Sequence, residues 1–203
     1  MSRIAIFGTG GAGREVAQWA LECGHEDITL TIDDDYFTDT EINGFSVIPF
    51  SQIAIEDYVW IVAVADTLLR EVIVKKIENT AKFETLIHPT AKVQLGSKIG
   101  EGVIIGPGTV ISINSKIGKH SFVNGQVIIG HDCNINEYVT IAPRAVVLGN
   151  CKVEAHVFLG ANSSIREKTT ISSGTVVGMG SVVVTDLSNG IYVGNPARKI
   201  RGK

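Results

Sequence analysis

VQLGSK IGEGVI IGPGTV ISINSK IGKHSF VNGQVI IGHDCN INEYVT IAPRAV, residues 93–146, reads as consecutive six-residue units, each opened by Val or Ile. The beat runs on without a gap, placing an aliphatic residue at Val93, Ile99, Ile105, Ile111, Ile117, Val123, Ile129, Ile135, Ile141, Val147, Val153, Leu159, Ile165, Ile171, Val177 and Val183. A helix repeats every 3.6 residues and a half-buried strand every second residue, so neither explains a period of six. This is the hexapeptide repeat of a solenoid. Four residues after the aliphatic position sits mostly a small or β-branched residue, as at Ser97, Thr109, Ser115, Ser121, Cys133, Ala145, Cys151, Ser163, Thr169, Thr175 and Ser181. The physical reading is a triangular coil with one unit per face, in which aliphatic residues stack along the interior and small ones fit the tight corners. Gly100, Gly106, Gly118, Gly130, Gly160 and Gly178 are expected where a β-carbon would be crowded.

Before the repeat the grammar differs. SRIAIFG reads as a buried strand, GTGGAGRE as a glycine turn, GREVAQWALEC as an amphipathic helix and DITLTIDD as a second strand. VWIVAVA, TLLREVIVKKIEN and FETLIH then read as strand, helix and strand, giving a βαβ…βαβ order and a small parallel, truncated Rossmann-like α/β sheet flanked by helices. The junction is expected around His88-Pro89-Thr90, because proline disfavours helix before it. Two domains follow, 1–88 and 89–203, the second a parallel β-helix with a C-terminal tail.

Gly8, Gly10 and Gly13 satisfy G-x-G-x-x-G after a strand and into a helix, with Asp33 twenty residues beyond Gly13. Taken literally this is a dinucleotide site, but the first domain is too short for two mononucleotide halves, and no hydride-transfer domain follows. A second reading keeps the physics and changes the ligand. The backbone N–H groups of Gly8, Gly10, Gly11 and Gly13 at a helix N-terminus would hold the pyrophosphate of a nucleotide-sugar, with Asp33 or Asp34 on the ribose or base. In a third, the glycines only let helix and strand pack closely.

A net charge of −3 gives no basic footprint for nucleic acid. Three cysteines without a C-x-x-C pair argue against a disulfide framework or zinc knuckle and fit a reducing cytoplasm. No apolar segment reaches the length of a membrane span, and the first residues lack the pattern of an export signal.

The order of glycine-turn sheet, His-Pro junction, hexapeptide coil and the tail YVGNPARKI resembles the bacterial sugar acetyltransferases typified by the UDP-4-amino-sugar N-acetyltransferase of bacillosamine synthesis and the sialic-acid O-acetyltransferase-like proteins. GTGGAGRE, IDDD, GHDC and GNPAR carry the resemblance. It implies a left-handed β-helix working as a homotrimer, with acetyl-CoA between neighbouring coils and no metal. It implies that His131 is the general base, removing the proton from an attacking amine or hydroxyl, a task suited to an imidazole near neutrality. Asp132 would orient it. Neighbouring strand residues face opposite sides, so this pairing requires the chain to bend at that point. By the same resemblance the Gly149 N–H faces the thioester carbonyl, Ala161 and Met179 contact pantetheine through backbone groups, Pro196 and Arg198 lie at the adenine and phosphate end, and Asn124 lies near the acceptor sugar. Two departures, Ala12 and Thr140, stand where relatives carry histidine.

The expected reaction is acetyl transfer to the amino group of a UDP-4-amino-4,6-dideoxy type sugar. The alternative is O-acetylation of sialic acid or another sugar hydroxyl. A trimeric zinc hydratase would need three histidines converging on one metal, and His120, His131 and His156 lack the close pair of that family. A passive scaffold is the remaining reading. Cys133 and Cys151, in small-residue slots, are expected to point inward rather than act as nucleophiles.

Overall fold

The computed structural model describes residues 3–200. Its first unit contains β1 (Ile4–Phe7), α1 (Gly11–Glu22), β2 (Ile28–Ile32), β3 (Glu41–Ile42), β4 (Phe45–Pro49), β5 (Val59–Val62), α2 (Thr67–Ile77) and β6 (Lys82–Phe83). These strands form one sheet in the order β3-β4-β2-β1-β5-β6. The central strands are almost wholly buried, which is why IAIF and VWIV are continuous apolar runs rather than alternating ones.

Two sequence readings need correction. The sheet is mixed, because β3 and β4 form an antiparallel hairpin. Its signal was the Asn43-Gly44 pair, whose φ values of 54° and 82° suit the tight turn that Asn-Gly favours. FETLIH is also not one strand: Lys82–Phe83 closes the sheet on β5, whereas Leu86–Ile87 pairs with Ile104–Ile105 and opens the prism. Ile87 lies six residues before Val93, so the beat starts one unit earlier than the sequence suggested.

The prism is a stack of two-residue rungs in three parallel sheets, each rung pairing with the one eighteen residues later. Aliphatic positions from Ile105 to Val183 are at most 2% exposed. At the corners the small residues tie coils together. The Ser115 hydroxyl donates to the Gly130 carbonyl at 2.7 Å and accepts from Cys133 N–H at 3.1 Å, and Ser121 makes the same pair with Asn136 and Val139. Cys133 and Cys151 are buried in such slots. Gly118 and Gly130 are explained by close approach of the next coil: a β-carbon would lie 2.4 Å from the Asn136 carbonyl carbon and 2.6 Å from the Gly149 nitrogen.

The three outward faces differ. The first, carrying Leu86, Ile104, Phe122 and Thr140, is covered by the N-terminal unit, with Trp19 set edge-on to Phe122 at 6.3 Å. The second carries Val110, Ile128, Val146 and Val182, partly or largely open to solvent. The third carries Lys98, Lys116, Asn134 and Lys152, all exposed. The covered face therefore lies opposite the corner where the apolar and lysine faces meet.

Under α2, the corner between the lysine and covered faces bears a column of rings. Phe83 meets His120 edge-on at 4.7 Å, and Tyr138 stacks on His120 at 5.5 Å and on His156 at 5.4 Å. Burial, outweighing the nearby Glu101, pushes the His120 imidazole down to about 4. A histidine whose folded value is depressed is stable as the neutral form. Its contribution is complete above the unfolded value of about 6.5 and is lost as pH falls from there toward 4. His120→Asn, which keeps a side chain tolerant of the local φ of 53°, should remove about 2–3 kcal/mol of acid-induced loss between pH 6.5 and 4. Parallel denaturant titrations of both proteins measure this difference, and equal slopes against pH would contradict it.

Candidate active site

A cavity of about 530 Å³ opens at the carboxyl ends of β1, β2 and β5, lined by the glycine turn, Asp33, Tyr36, Ala63, Val64, Ala65 and Leu69. It lies where the strand order reverses about β1, the position at which open α/β sheets bind ligands. α1 begins there with no acidic residue in its first turn and no side-chain cap on Gly10, so its leading N–H groups are left for an anion.

The four glycines divide into two pairs. A β-carbon on Gly13 would fall 2.0 Å from the Gly8 carbonyl oxygen, and one on Gly8, at φ +127°, would fall 3.0 Å from the Ala63 oxygen. These two serve close helix–strand packing. Gly10 and Gly11 have nothing within 4 Å of the missing β-carbon and no positive φ. Packing does not explain them, and their backbone is open to the cavity. Gly13→Ala should cost about 2–3 kcal/mol of stability, whereas Gly10→Ala should leave the melting temperature within about 2 °C of the parent. Differential scanning calorimetry separates the two, and equal losses would return Gly10 to a packing role.

Asp33 lines the cavity and is held by Lys76 at 2.8 Å, with the ammonium 4.0 Å from the Phe50 ring centroid. Asp34 is engaged elsewhere: its carboxylate accepts from Ser51 N–H at 3.0 Å and from the Ser51 hydroxyl, bonds that hold its pKa below the usual carboxylate range. Of the two acids, Asp33 alone lines the cavity. Thr140 is buried and donates to the Ala65 carbonyl at 2.7 Å, bracing the cavity wall.

The second cluster lies on the corner between the apolar and lysine faces. His131 Nδ1 is 2.8 Å from Asp132 Oδ2, and the bend this pairing needs is present, with Asp132 at φ +56°. The other Asp132 oxygen accepts from Asn114 Nδ2 at 3.2 Å. His131 first and Asn114 second hold the Asp132 carboxyl below its ordinary value. A carboxylate at Nδ1 accepts a proton-bearing bond, which leaves Nε2 as the free basic nitrogen. Nε2 lies over Gly149, where a β-carbon would be only 2.5 Å away. Glycine at 149 is thus the condition for the imidazole to lie flat on the next coil. Asn114 was missed in the sequence; its only signal is that it precedes Asp132 by eighteen residues, one full coil.

Ala161 and Met179 stack one coil apart on a different corner, between the covered and apolar faces, where a β-carbon on Gly160 would meet Met179 N at 2.5 Å. Asn124 begins a turn of that same corner, its side chain accepting from Gly125 N–H at 2.8 Å. Gly149, Ala161 and Met179 donate no backbone hydrogen bond among the described residues. Pro196 and Arg198 are exposed in the tail, Arg198 within a short strand paired to Ile191–Val193. One chain thus separates its proposed contacts: His131 and Gly149 on one corner, Ala161, Met179 and Asn124 on another, and the glycine cavity over the face opposite His131.

Residues 3–77 match the family described as PglD N-terminal domain. By this match and by solved structures, the chain is similar to PglD-type hexapeptide transferases. Its prism is a left-handed β-helix. Solved structures resemble this chain over its full length. One is perosamine N-acetyltransferase from Caulobacter crescentus, a variant with one histidine replaced by asparagine, in complex with CoA and GDP-perosamine. It is 26% identical, with a TM-score of 0.91 over 100% of this chain and 98% of that one. WeeI from Acinetobacter baumannii AYE is 28% identical, with a TM-score of 0.91 over 98% of this chain and 100% of that one. The acetyltransferase domain of PglB from Neisseria gonorrhoeae FA1090, in complex with acetyl coenzyme A, is 27% identical, with a TM-score of 0.75 over 98% of each chain. No curated protein sequence matches significantly. Among the described residues no three His, Cys, Asp or Glu side chains are grouped to hold a metal. No helix among them is long and apolar enough to cross a membrane.

Proposed function

We propose that this protein transfers the acetyl group of acetyl-CoA to the amino group of a nucleotide-linked amino sugar, with His131 as general base. The carrying observation is the His131–Asp132 pair, set with a free Nε2 over a bare Gly149. The full-length likeness to a protein in complex with CoA and GDP-perosamine supports the substrate pair. The amine nitrogen attacks the thioester carbonyl carbon, the carbon–sulfur bond breaks, and the proton lost from nitrogen passes through His131 Nε2 to the departing thiolate. The Gly149 N–H donates to the carbonyl oxygen as negative charge develops there.

The working unit in this reading is a homotrimer. Turning the apolar face of each prism toward a common axis brings the His131 corner of one copy against the Ala161–Met179 corner of the next. Contacts that one chain holds apart would then flank one groove. It also brings His131 near the neighbour's covered face, which carries the glycine cavity. A heterologous pairing of two corners of a triangular section closes after three copies, and burying Ile128, Leu148 and Ile113 supplies the apolar contribution. Native mass spectrometry should give three times the 21.7 kDa chain. The three free thiols suit a cytoplasmic setting.

Amino rather than hydroxyl acetylation is favoured by Gly10 and Gly11, because a free sialic acid has no pyrophosphate to place on them. The test is thiol release from acetyl-CoA with UDP-, dTDP- and GDP-linked amino sugars, beside free sialic acid. Turnover with sialic acid alone would replace this reading with O-acetylation.

A further inference from the structure

Tyr36 is the feature of the cavity that folding does not explain. It is 71% exposed, yet its neighbour Phe37 packs against the core, so the turn throws one aromatic in and one out. Its ring takes no part in the aromatic pairs among the described residues. Nor is it on a loose loop. Tyr36 N–H donates to the Asp33 carbonyl at 2.9 Å, and the turn is pinned by Lys76 on Asp33 and Ser51 on Asp34. Leu69, 49% exposed on α2, also lines the cavity. A large aromatic without a protein partner, carried on a pinned turn at a cavity mouth, is suited to stack on a flat ligand.

We propose that Tyr36 is the stacking platform for the nucleobase of the acceptor, and that base identity is read weakly. The inference rests on the nucleotide-sugar reading above. A diphosphate on Gly10 and Gly11 and a ribose at Asp33 direct the base outward along the turn that carries Tyr36, with Leu69 available as an apolar wall. Apart from Tyr36 itself, the lining side chains with polar atoms are Thr9 and Asp33. Stacking accepts any base, since every base presents a π-face. Purine and pyrimidine diphosphates should therefore bind with affinities within about tenfold of each other, the larger purine tighter.

Isothermal titration of the full chain with UDP and with GDP tests this. Tyr36→Ala should weaken both on the order of tenfold or more, Tyr36→Phe should bind like the parent, and the KM for acetyl-CoA should stay unchanged in both. With its side chain exposed, Tyr36→Ala should also melt with the parent, so lost binding is not lost folding. Equal binding by Tyr36→Ala and parent overturns the platform while leaving the nucleotide site standing. Loss with Tyr36→Phe would assign the effect to the hydroxyl and overturn stacking. A parent that binds neither nucleotide removes this proposal together with the reading beneath it.

Discussion

His131→Ala is expected to lower the rate of acetyl transfer about a thousandfold while the KM for acetyl-CoA changes by about twofold or less. The two effects separate because the imidazole acts on a proton that moves only as the new bond forms, whereas the cofactor contacts expected at Ala161 and Met179 are backbone groups on another corner. Space alone is not the cause of the loss, since removing the ring relieves the tight approach to Gly149. Asp132→Asn should also lower the rate: an asparagine amide that donates to Nδ1 holds the tautomer with its proton on Nε2, where it can no longer accept one. Steady-state kinetics with a saturating amino-sugar acceptor reads both. A His131→Ala enzyme that keeps its full rate would remove the general base from the scheme, and one that raises KM with kcat intact would make the histidine a cofactor contact.

What the sequence disclosed about this site follows from what a linear pattern can encode. The six-residue beat places His131 two positions after Ile129, which puts it outside the prism, and places Cys133 in an inward slot; both hold. The same beat says nothing of which corner faces which, so Gly149 and Ala161 read as one site although the fold sets them on different edges. Asn114 escaped because its link to Asp132 runs between coils. Asp34 looked equal to Asp33 because adjacent carboxylates are chemically identical until a partner such as Ser51 takes one of them. The Asn43-Gly44 hairpin, by contrast, was written in the sequence by its local turn preference and went unused.

Arg70→Ala should cost about 4–5 kcal/mol of stability and should loosen the two domains from each other. Its guanidinium, 1% exposed, donates from Nε to the His120 carbonyl at 2.7 Å and from Nη2 to the Tyr138 and Val139 carbonyls at 3.0 and 3.2 Å, while Nη1 donates to the Val64 and Ala65 carbonyls. One side chain on α2 thus joins two coils of the prism to the strand end that walls the cavity. The corner residues His120 and Tyr138, at φ 53° and 54°, present their carbonyls to this one donor, so alanine leaves several buried acceptors without a partner as well as a void. Burial pushes the guanidinium down to about 10, yet it stays charged at neutral pH, and neutral carbonyls rather than a carboxylate satisfy it. Arg70→Lys should recover little, because a single ammonium cannot span donors set in a planar fork. Hydrogen exchange gives the discriminating readout. The Ala63–Ala65 segment and α2 should lose protection in Arg70→Ala, while coils beyond Ile165, which Arg70 does not touch, keep theirs. Uniform loss along the whole chain would mean that the two parts unfold as one unit and that Arg70 is no more than a contributor to global stability.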